Sequence, residues 1–406
     1  MKGRLPLSVL RPIWLLLAGL STLTPPAQTQ VPTEVGEAWA TLSNELRNTL
    51  DAEGMVGASW AFLQDGALVA HETFGVANLE TNRAVDEATI YHWGSITKTL
   101  TGIAILQLRD RGQIELDDPI IQYVPELKVV HNPFGAMEDI TIRHLLSHSS
   151  GFRNPTWPWG GGEEWHPHEP TQWDQIVSML PYTQILFSPG SRFSYSNPGI
   201  IFLGQVIERA TGEDWEVYVW KNILSPLGMV RTYFDFTPPH LLGDRSNNYS
   251  VRNGIPYANG LDFDTGITVS NGGLNAPFQD MARYLSFLGD WGSDLDRERY
   301  RMVLSRASLE EMWQEVVPIG TTGPLREAMG LCFFLEDFHG SRFIGHTGSQ
   351  KAFFSFFYID PTTKTGALVA FNSNGVGGED PSPPATRQIL NDLRETIFER
   401  IFPLFH

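Results

Sequence analysis

The sequence predicts an α+β fold, in which one antiparallel sheet is flanked by N- and C-terminal helices and joined to a mainly helical lobe. Three observations predict it. Strand-like segments lie near both ends of the chain, at Gly57 to Ala77 and at Met329 to Asn372. Amphipathic helical patterns lie outside them, at Val35 to Glu53 and Pro384 to Phe402, and further helical patterns fill the middle. A sheet drawn from both ends buries its faces only if helices cover it, and the terminal patterns supply that layer. The expected organisation is a signal segment over 1–29, a sheet lobe from 33–94 with 325–406, and a helical lobe over 95–324.

The elements follow in order. Lys2, Arg4 and Arg11 precede a short apolar run, Ile13 to Leu23, and then small and polar residues around Pro26-Ala27-Gln28-Thr29. This is the layout of a secretory signal, too short to span a bilayer. The expectation is an exported, secreted or periplasmic protein with no membrane anchor after cleavage. Trp39, Leu42, Leu46 and Leu50 then recur at helical spacing. Gly57 to Gln64 and Leu68 to Ala77 read as two strands joined at Asp65-Gly66, a hairpin turn pair. A helical pattern runs from Ser95 through Leu100, Ile103 and Leu108 toward Gly112. Short helices are expected at Ile140 to Ser147, Gly199 to Thr211, Trp215 to Leu224 and Met281 to Leu288. Residues 153–173 carry four tryptophans among prolines and glycines and read as a rigid aromatic loop, either packed on the lobe or touching substrate. Strands are expected at Met329 to Leu335, Ser341 to His346, Ala352 to Ile359 and Ala367 to Asn372.

Composition excludes several functions. The chain has 29 basic and 46 acidic residues, and three of the basic ones lie in the first 29 residues, so the remainder carries 26 − 46 = −20. That sign disfavours nucleic acid and anionic membrane surfaces, both of which need clustered Lys and Arg. Cys332 is the single cysteine, flanked by Leu331, Phe333 and Phe334, and reads as a buried structural thiol. Neither a disulfide within the chain nor a cysteine-built metal site follows. Glu163, Glu164, His166 and His168 are better read as part of the aromatic loop than as metal ligands. No cofactor is expected.

The chemistry sits in three short stretches. In Ser95-Ile96-Thr97-Lys98, residues three apart share a helix face, so hydroxyl and amine come within reach. A serine hydroxyl becomes a nucleophile when a neighbouring base takes its proton. Tyr195-Ser196-Asn197 follows a Pro189-Gly190 turn: the tyrosine suits a proton shuttle, the asparagine amide a substrate carbonyl. In Gly345-His346-Thr347-Gly348-Ser349, glycines let a substrate approach, and the Ser349 N–H pairs with that of Ser95 as an oxyanion donor.

In this order the three stretches resemble the motifs of the serine β-lactamase-like hydrolases, which include class C β-lactamases, penicillin-binding DD-peptidases, D-aminopeptidases and esterases. Leu145 to Gly151, Pro226-Leu227-Gly228-Met229 and Asn271-Gly272-Gly273-Leu274 are similar to landmarks of that family. The resemblance covers residues 35–402. It implies a β-lactamase/transpeptidase-like fold, with Ser95, Lys98 and Tyr195 catalytic and Asn197, His346, Thr347, Gly348 and Ser349 binding substrate. Two other matches compete, Tyr257-Ala258-Asn259 and Lys364-Thr365-Gly366, but neither has the expected flanks. His346 stands where class C β-lactamases carry lysine, which turns the reading from a dedicated β-lactamase toward an esterase or DD-peptidase acting on a small-molecule or peptide substrate. An ordinary histidine ionises near about 6.5, so an attraction for substrate carboxylates is expected below about pH 6. The plainer reading is that His346 only orients Thr347 and Ser349. The alternative functions are a β-lactamase and a non-catalytic penicillin- or peptidoglycan-binding module. His92 and His148 read as structural.

Overall fold

The structure, a computed structural model, describes residues 33–152, 170–262, 264–376 and 385–405. Among these, nine strands form one antiparallel sheet. Its order is Arg83–Ala84, Ala67–Asn78, Gly57–Gln64, Thr365–Phe371, Phe353–Asp360, Ser341–Gln350, Phe334–Phe338, Leu325–Met329 and Val317–Thr322. Strands from the two ends meet in the middle, where Ala58 pairs with Phe371 and Gln64 with Thr365. Asp65 and Gly66 both take positive φ, 46° and 83°, so the first hairpin closes on the mirror-image turn that matches strand twist.

The central strands are apolar on both faces because both faces are covered. Trp60, Phe62, Phe356, Tyr358, Val369 and Phe371 pack under the terminal helices Thr33–Ala52 and Ala385–Arg400, against Trp39, Leu42, Leu46, Leu50, Leu393, Ile397 and Phe398. Their alternates Ala61, Leu63, Phe357, Ile359, Leu368 and Ala370 join the core of the helical half. Full burial of each large apolar side chain contributes about 1.5–3 kcal/mol, so the sandwich holds the sheet rigidly.

At the centre of the helical half lies the helix Thr97–Asp110, buried at every position from Thr97 to Leu108. Several of its polar side chains find partners inside: Thr101 Oγ1 donates to Ser270 O at 2.6 Å, and the Tyr284 hydroxyl donates to Thr99 Oγ1 at 2.7 Å. A helix apolar or satisfied all round is a core helix, and the catalytic candidates sit at its N-terminal end.

Several elements differ from expectation. Met329 to Leu335 is not one strand but the end of Leu325–Met329 and the start of Phe334–Phe338, which pair with each other. Cys332 turns the chain between them at φ 61°, and its N–H donates to Leu146 O at 2.8 Å. Continuous apolarity across the corner, which is buried like the strands, hid the turn. The helices Asp294–Val303 and Arg306–Met312 escaped the reading because the first buries only Val303. Ile90–Gly94, for which no strand was expected, is a strand that pairs antiparallel with Leu274–Pro277.

Candidate active site

Ser95 stands in the turn between the strand Ile90–Gly94 and the helix Thr97–Asp110, half-buried, rather than within the helix. Gly94 takes φ 51° there, and Thr97 Oγ1 locks the turn by donating to Gly94 O at 2.6 Å while accepting from Leu274 N at 3.0 Å. The Lys98 N–H donates to Ser95 O at 3.0 Å, the tight turn that brings the side chains together. Lys98 Nζ lies 2.9 Å from Ser95 Oγ and 2.8 Å from Asn271 O. Lys98 is fully buried, and among the described residues no carboxylate lies within ion-pair distance of it. Burial brings its pKa down from 10.5 to about 7; the nearby Cys332 thiol opposes this only weakly, because burial drives that thiol up to about 12 and keeps it neutral. At pH 7 roughly half of Lys98 is therefore neutral, against about one in 2,500 for a free lysine. In that form it donates to Asn271 O and turns its lone pair to the Ser95 hydroxyl.

Tyr195 reaches the same point from another element. Gly190, at φ 77°, turns the chain after Pro189, and the Ser196 side chain then caps the helix Asn197–Thr211 by accepting from Gly199 N at 3.2 Å. The Tyr195 ring centre lies 5.0 Å from Lys98 Nζ, and its hydroxyl hydrogen-bonds Ser95. Burial raises the phenol above its ordinary range, so at neutral pH Tyr195 is an O–H donor rather than a phenolate. Lys98 is thus the group that titrates where a base is needed. Asn197 opens the helix directly after this pair and is half-buried.

The third stretch lies on the strand Ser341–Gln350. A side chain at Gly348 would put its Cβ 2.0 Å from the Trp93 carbonyl oxygen, and one at Gly94 would come 3.0 Å from the Ser349 amide nitrogen. Both glycines are what allow this strand to press against the Ser95 turn, with Thr347 half-buried and Ser349 exposed at its rim. His346 is fully buried, its ring 4.8 Å from Phe334 and 6.4 Å from Tyr195, and its Nδ1–H donates to Thr347 O at 2.6 Å. Burial, with Lys98 beside it, lowers its pKa to about 3. This corrects the expected charge below about pH 6: a sealed imidazole next to an amine stays neutral throughout pH 5–8.

Sequence reasoning missed two partners. Asn271 works through its backbone carbonyl, which no side-chain signal announces. His148, read as structural, lies against Tyr195 with ring centres 4.3 Å apart. The competing matches fall away from the site. Tyr257 lies on the exposed strand Ile255–Ala258, and Lys364, at φ 57°, sits in the turn before Thr365–Phe371, within 3.6 Å of Asp65. Of the four loop tryptophans only Trp173 is among the described residues. It packs edge-on to Phe202 and donates to Glu126 Oε1 at 3.2 Å, a structural role. Trp157, Trp159, Trp165 and the Glu163–His168 group lie outside the described residues, as does the signal segment.

The comparisons with known proteins bear on the family and the fold. The Beta-lactamase family model matches residues 42–391. Protein flp of Staphylococcus aureus (strain N315) is 25% identical over 318 residues, 78% of this chain and 60% of its own length. The chain thus spans about three fifths of that relative. Esterase EstB of Burkholderia gladioli is 30% identical over 184 residues, 43% of this chain and 46% of its own. The octameric penicillin-binding protein homologue from Pyrococcus abyssi superposes with a TM-score of 0.72 at 28% identity, covering 89% of this chain and 77% of that one. The fold is therefore the β-lactamase/transpeptidase-like one expected from the motifs. A serine and a buried lysine at the foot of the core helix, a tyrosine beside them and a matched model across both halves lead to one assignment: the chain belongs to the beta-lactamase family of hydrolases.

Proposed function

We propose that the chain is an exported serine hydrolase that cleaves uncharged ester or amide substrates through an acyl-enzyme on Ser95. One observation carries the reading: Lys98 Nζ, buried and brought down to about 7, lies 2.9 Å from Ser95 Oγ. Neutral Lys98 takes the Ser95 proton as Oγ attacks the substrate carbonyl. The amides of Ser95 and Ser349 hold the resulting oxyanion, and Asn197 with Thr347 orients the acyl group. The Tyr195 O–H gives its proton to the departing oxygen or nitrogen and recovers one from Lys98. Water then releases the acid by the same groups in reverse.

Substrate class follows from His346. A lysine at this position would offer a fixed charge to a substrate carboxylate. A neutral imidazole offers none, which favours esters over β-lactams and D-Ala-D-Ala peptides. The likeness to an esterase supports the same preference. Export rests on the basic and apolar pattern of residues 1–29.

The test is intact-mass spectrometry after exposure to a short-chain p-nitrophenyl ester, a penicillin and a D-Ala-D-Ala peptide. The ester should add an acyl mass that maps to Ser95 and is lost in Ser95→Ala. An adduct on another serine, or no turnover of any of the three, sinks the reading.

A further inference from the structure

Tyr195 is gripped by a residue that the proposed chemistry does not use. His148 follows the short helix Ile142–Leu146 at φ 52°, a left-handed conformation rare outside glycine, and is fully buried. Its carbonyl accepts from Ser194 N at 2.8 Å, its ring lies on that of Tyr195 at 4.3 Å and 29°, and its Nδ1 accepts from Ser196 N at 3.1 Å. One residue thus holds three consecutive residues centred on the tyrosine.

The hydrogen bond also settles the tautomer. A backbone N–H only donates, so Nδ1 carries no proton and the neutral ring keeps its hydrogen on Nε2. Burial first, then Lys98 and His346 nearby, hold the imidazole neutral. A cationic ring here would lose the Ser196 bond and repel Lys98. The ring also comes close to stacking on Tyr195, so the phenol swings only with the imidazole. Nε2 has no hydrogen-bond partner among the described residues, and Phe193 packs edge-on to the ring at 6.1 Å.

We infer that His148 is the positioning residue of Tyr195, fixing the phenol for delivery of its proton to the leaving group. The inference rests on the proposed role of Tyr195. Its signature is dependence on the leaving group: an alkoxide must be protonated as it departs, whereas p-nitrophenolate leaves without help.

The experiment compares an alkyl ester with the p-nitrophenyl ester of the same acid in wild type, Tyr195→Phe, His148→Asn and the double variant. Asparagine tolerates the left-handed backbone and retains an acceptor for Ser196 N–H, so the protein should fold. His148→Asn should lower kcat on the alkyl ester roughly ten- to a hundred-fold, the scale of a displaced catalytic group. KM, the p-nitrophenyl ester and the melting temperature should change little. In the Tyr195→Phe background the further loss on the alkyl ester should be no more than about two- to threefold, as for residues acting through one another. Nitrogen NMR should show His148 neutral and protonated on Nε2 from pH 5 to 8.

Loss on both esters in step with melting temperature, additive losses in the double variant, or a His148 that titrates near its ordinary value would each overturn the inference. If Tyr195→Phe itself treats the two esters alike, the role of Tyr195 fails and the inference falls with it. If Tyr195→Phe discriminates and His148→Asn does not, the inference alone falls.

Discussion

Replacing Lys98 by methionine should stabilise the protein while abolishing its chemistry, and the gain should depend on pH in a defined direction. Lys98 titrates near 10.5 unfolded and about 7 folded, a difference of about 3.5 units in favour of the unfolded, protonated chain. At roughly 1.4 kcal/mol per unit, the folded state forfeits up to about 5 kcal/mol below pH 7, where the amine is charged in both states. As pH rises from 7 toward 10.5, the folded chain sheds this proton first, and the penalty shrinks. Methionine carries no charge at any pH and fills a similar volume, but loses the bonds to Ser95 Oγ and Asn271 O, each worth about 1 kcal/mol. A net gain on the order of 2–3 kcal/mol is therefore expected at pH 6, fading by pH 10. Denaturant unfolding of both proteins at pH 6, 8 and 10 measures it. Wild-type acylation should run in parallel, rising about tenfold per pH unit up to about 7 and then levelling off as Lys98 becomes neutral. A methionine variant less stable at pH 6, or acylation still climbing beyond pH 9, would refute the claim that Lys98 is desolvated and serves as the base.

Other outcomes follow from the same structure. His346→Lys should raise kcat/KM for a carboxylate-bearing substrate about tenfold or more relative to its methyl ester at pH 7, the scale of a charge-assisted hydrogen bond; the wild-type ratio should stay flat from pH 5 to 8. Gly348→Ala, whose Cβ would meet the Trp93 carbonyl at 2.0 Å, should cost about 1–3 kcal/mol by overpacking and slow acylation, read by unfolding and by burst kinetics. Glu336 is fully buried under the C-terminal helix, accepts from the Tyr358 hydroxyl, and lies 2.9 Å from Arg394 Nη1. Burial raises its pKa to about 7 despite that guanidinium, so Arg394→Met should destabilise by about 3–5 kcal/mol at pH 8 and by much less at pH 5, where the carboxyl is protonated.

How much of this was legible depended on what carries each feature. The sheet and its terminal helices were readable because short apolar runs and helical spacing are side-chain patterns, and Ala367 to Phe371 or Trp39 to Leu50 display them plainly. The Ser95 turn was readable in composition but not in shape: Tyr91-His92-Trp93 has no period that separates strand from helix, and only pairing with Leu274–Pro277 decides. Asp294–Val303 has almost no buried face to leave a pattern. The site residues were named from their resemblance to the family's motifs, yet their protonation was not, since it depends on burial contributed by residues far along the chain. His346 shows this most sharply, because an imidazole on an open strand and one sealed beside Lys98 have the same letter and opposite chemistry.

The meeting of both chain ends in one sheet has a kinetic consequence. Gly57–Gln64 finds its partner Thr365–Phe371 about 300 residues later, so the middle of the sheet cannot close until nearly the whole polypeptide has emerged. Contacts so distant in sequence make for slow folding with a large loop to close. Ser95 lies early in the chain and His346 late, so until that closure Lys98 has no sealed pocket and keeps the basicity of a free amine. On the proposed mechanism, Ser95 therefore gains its base only when the last strands arrive.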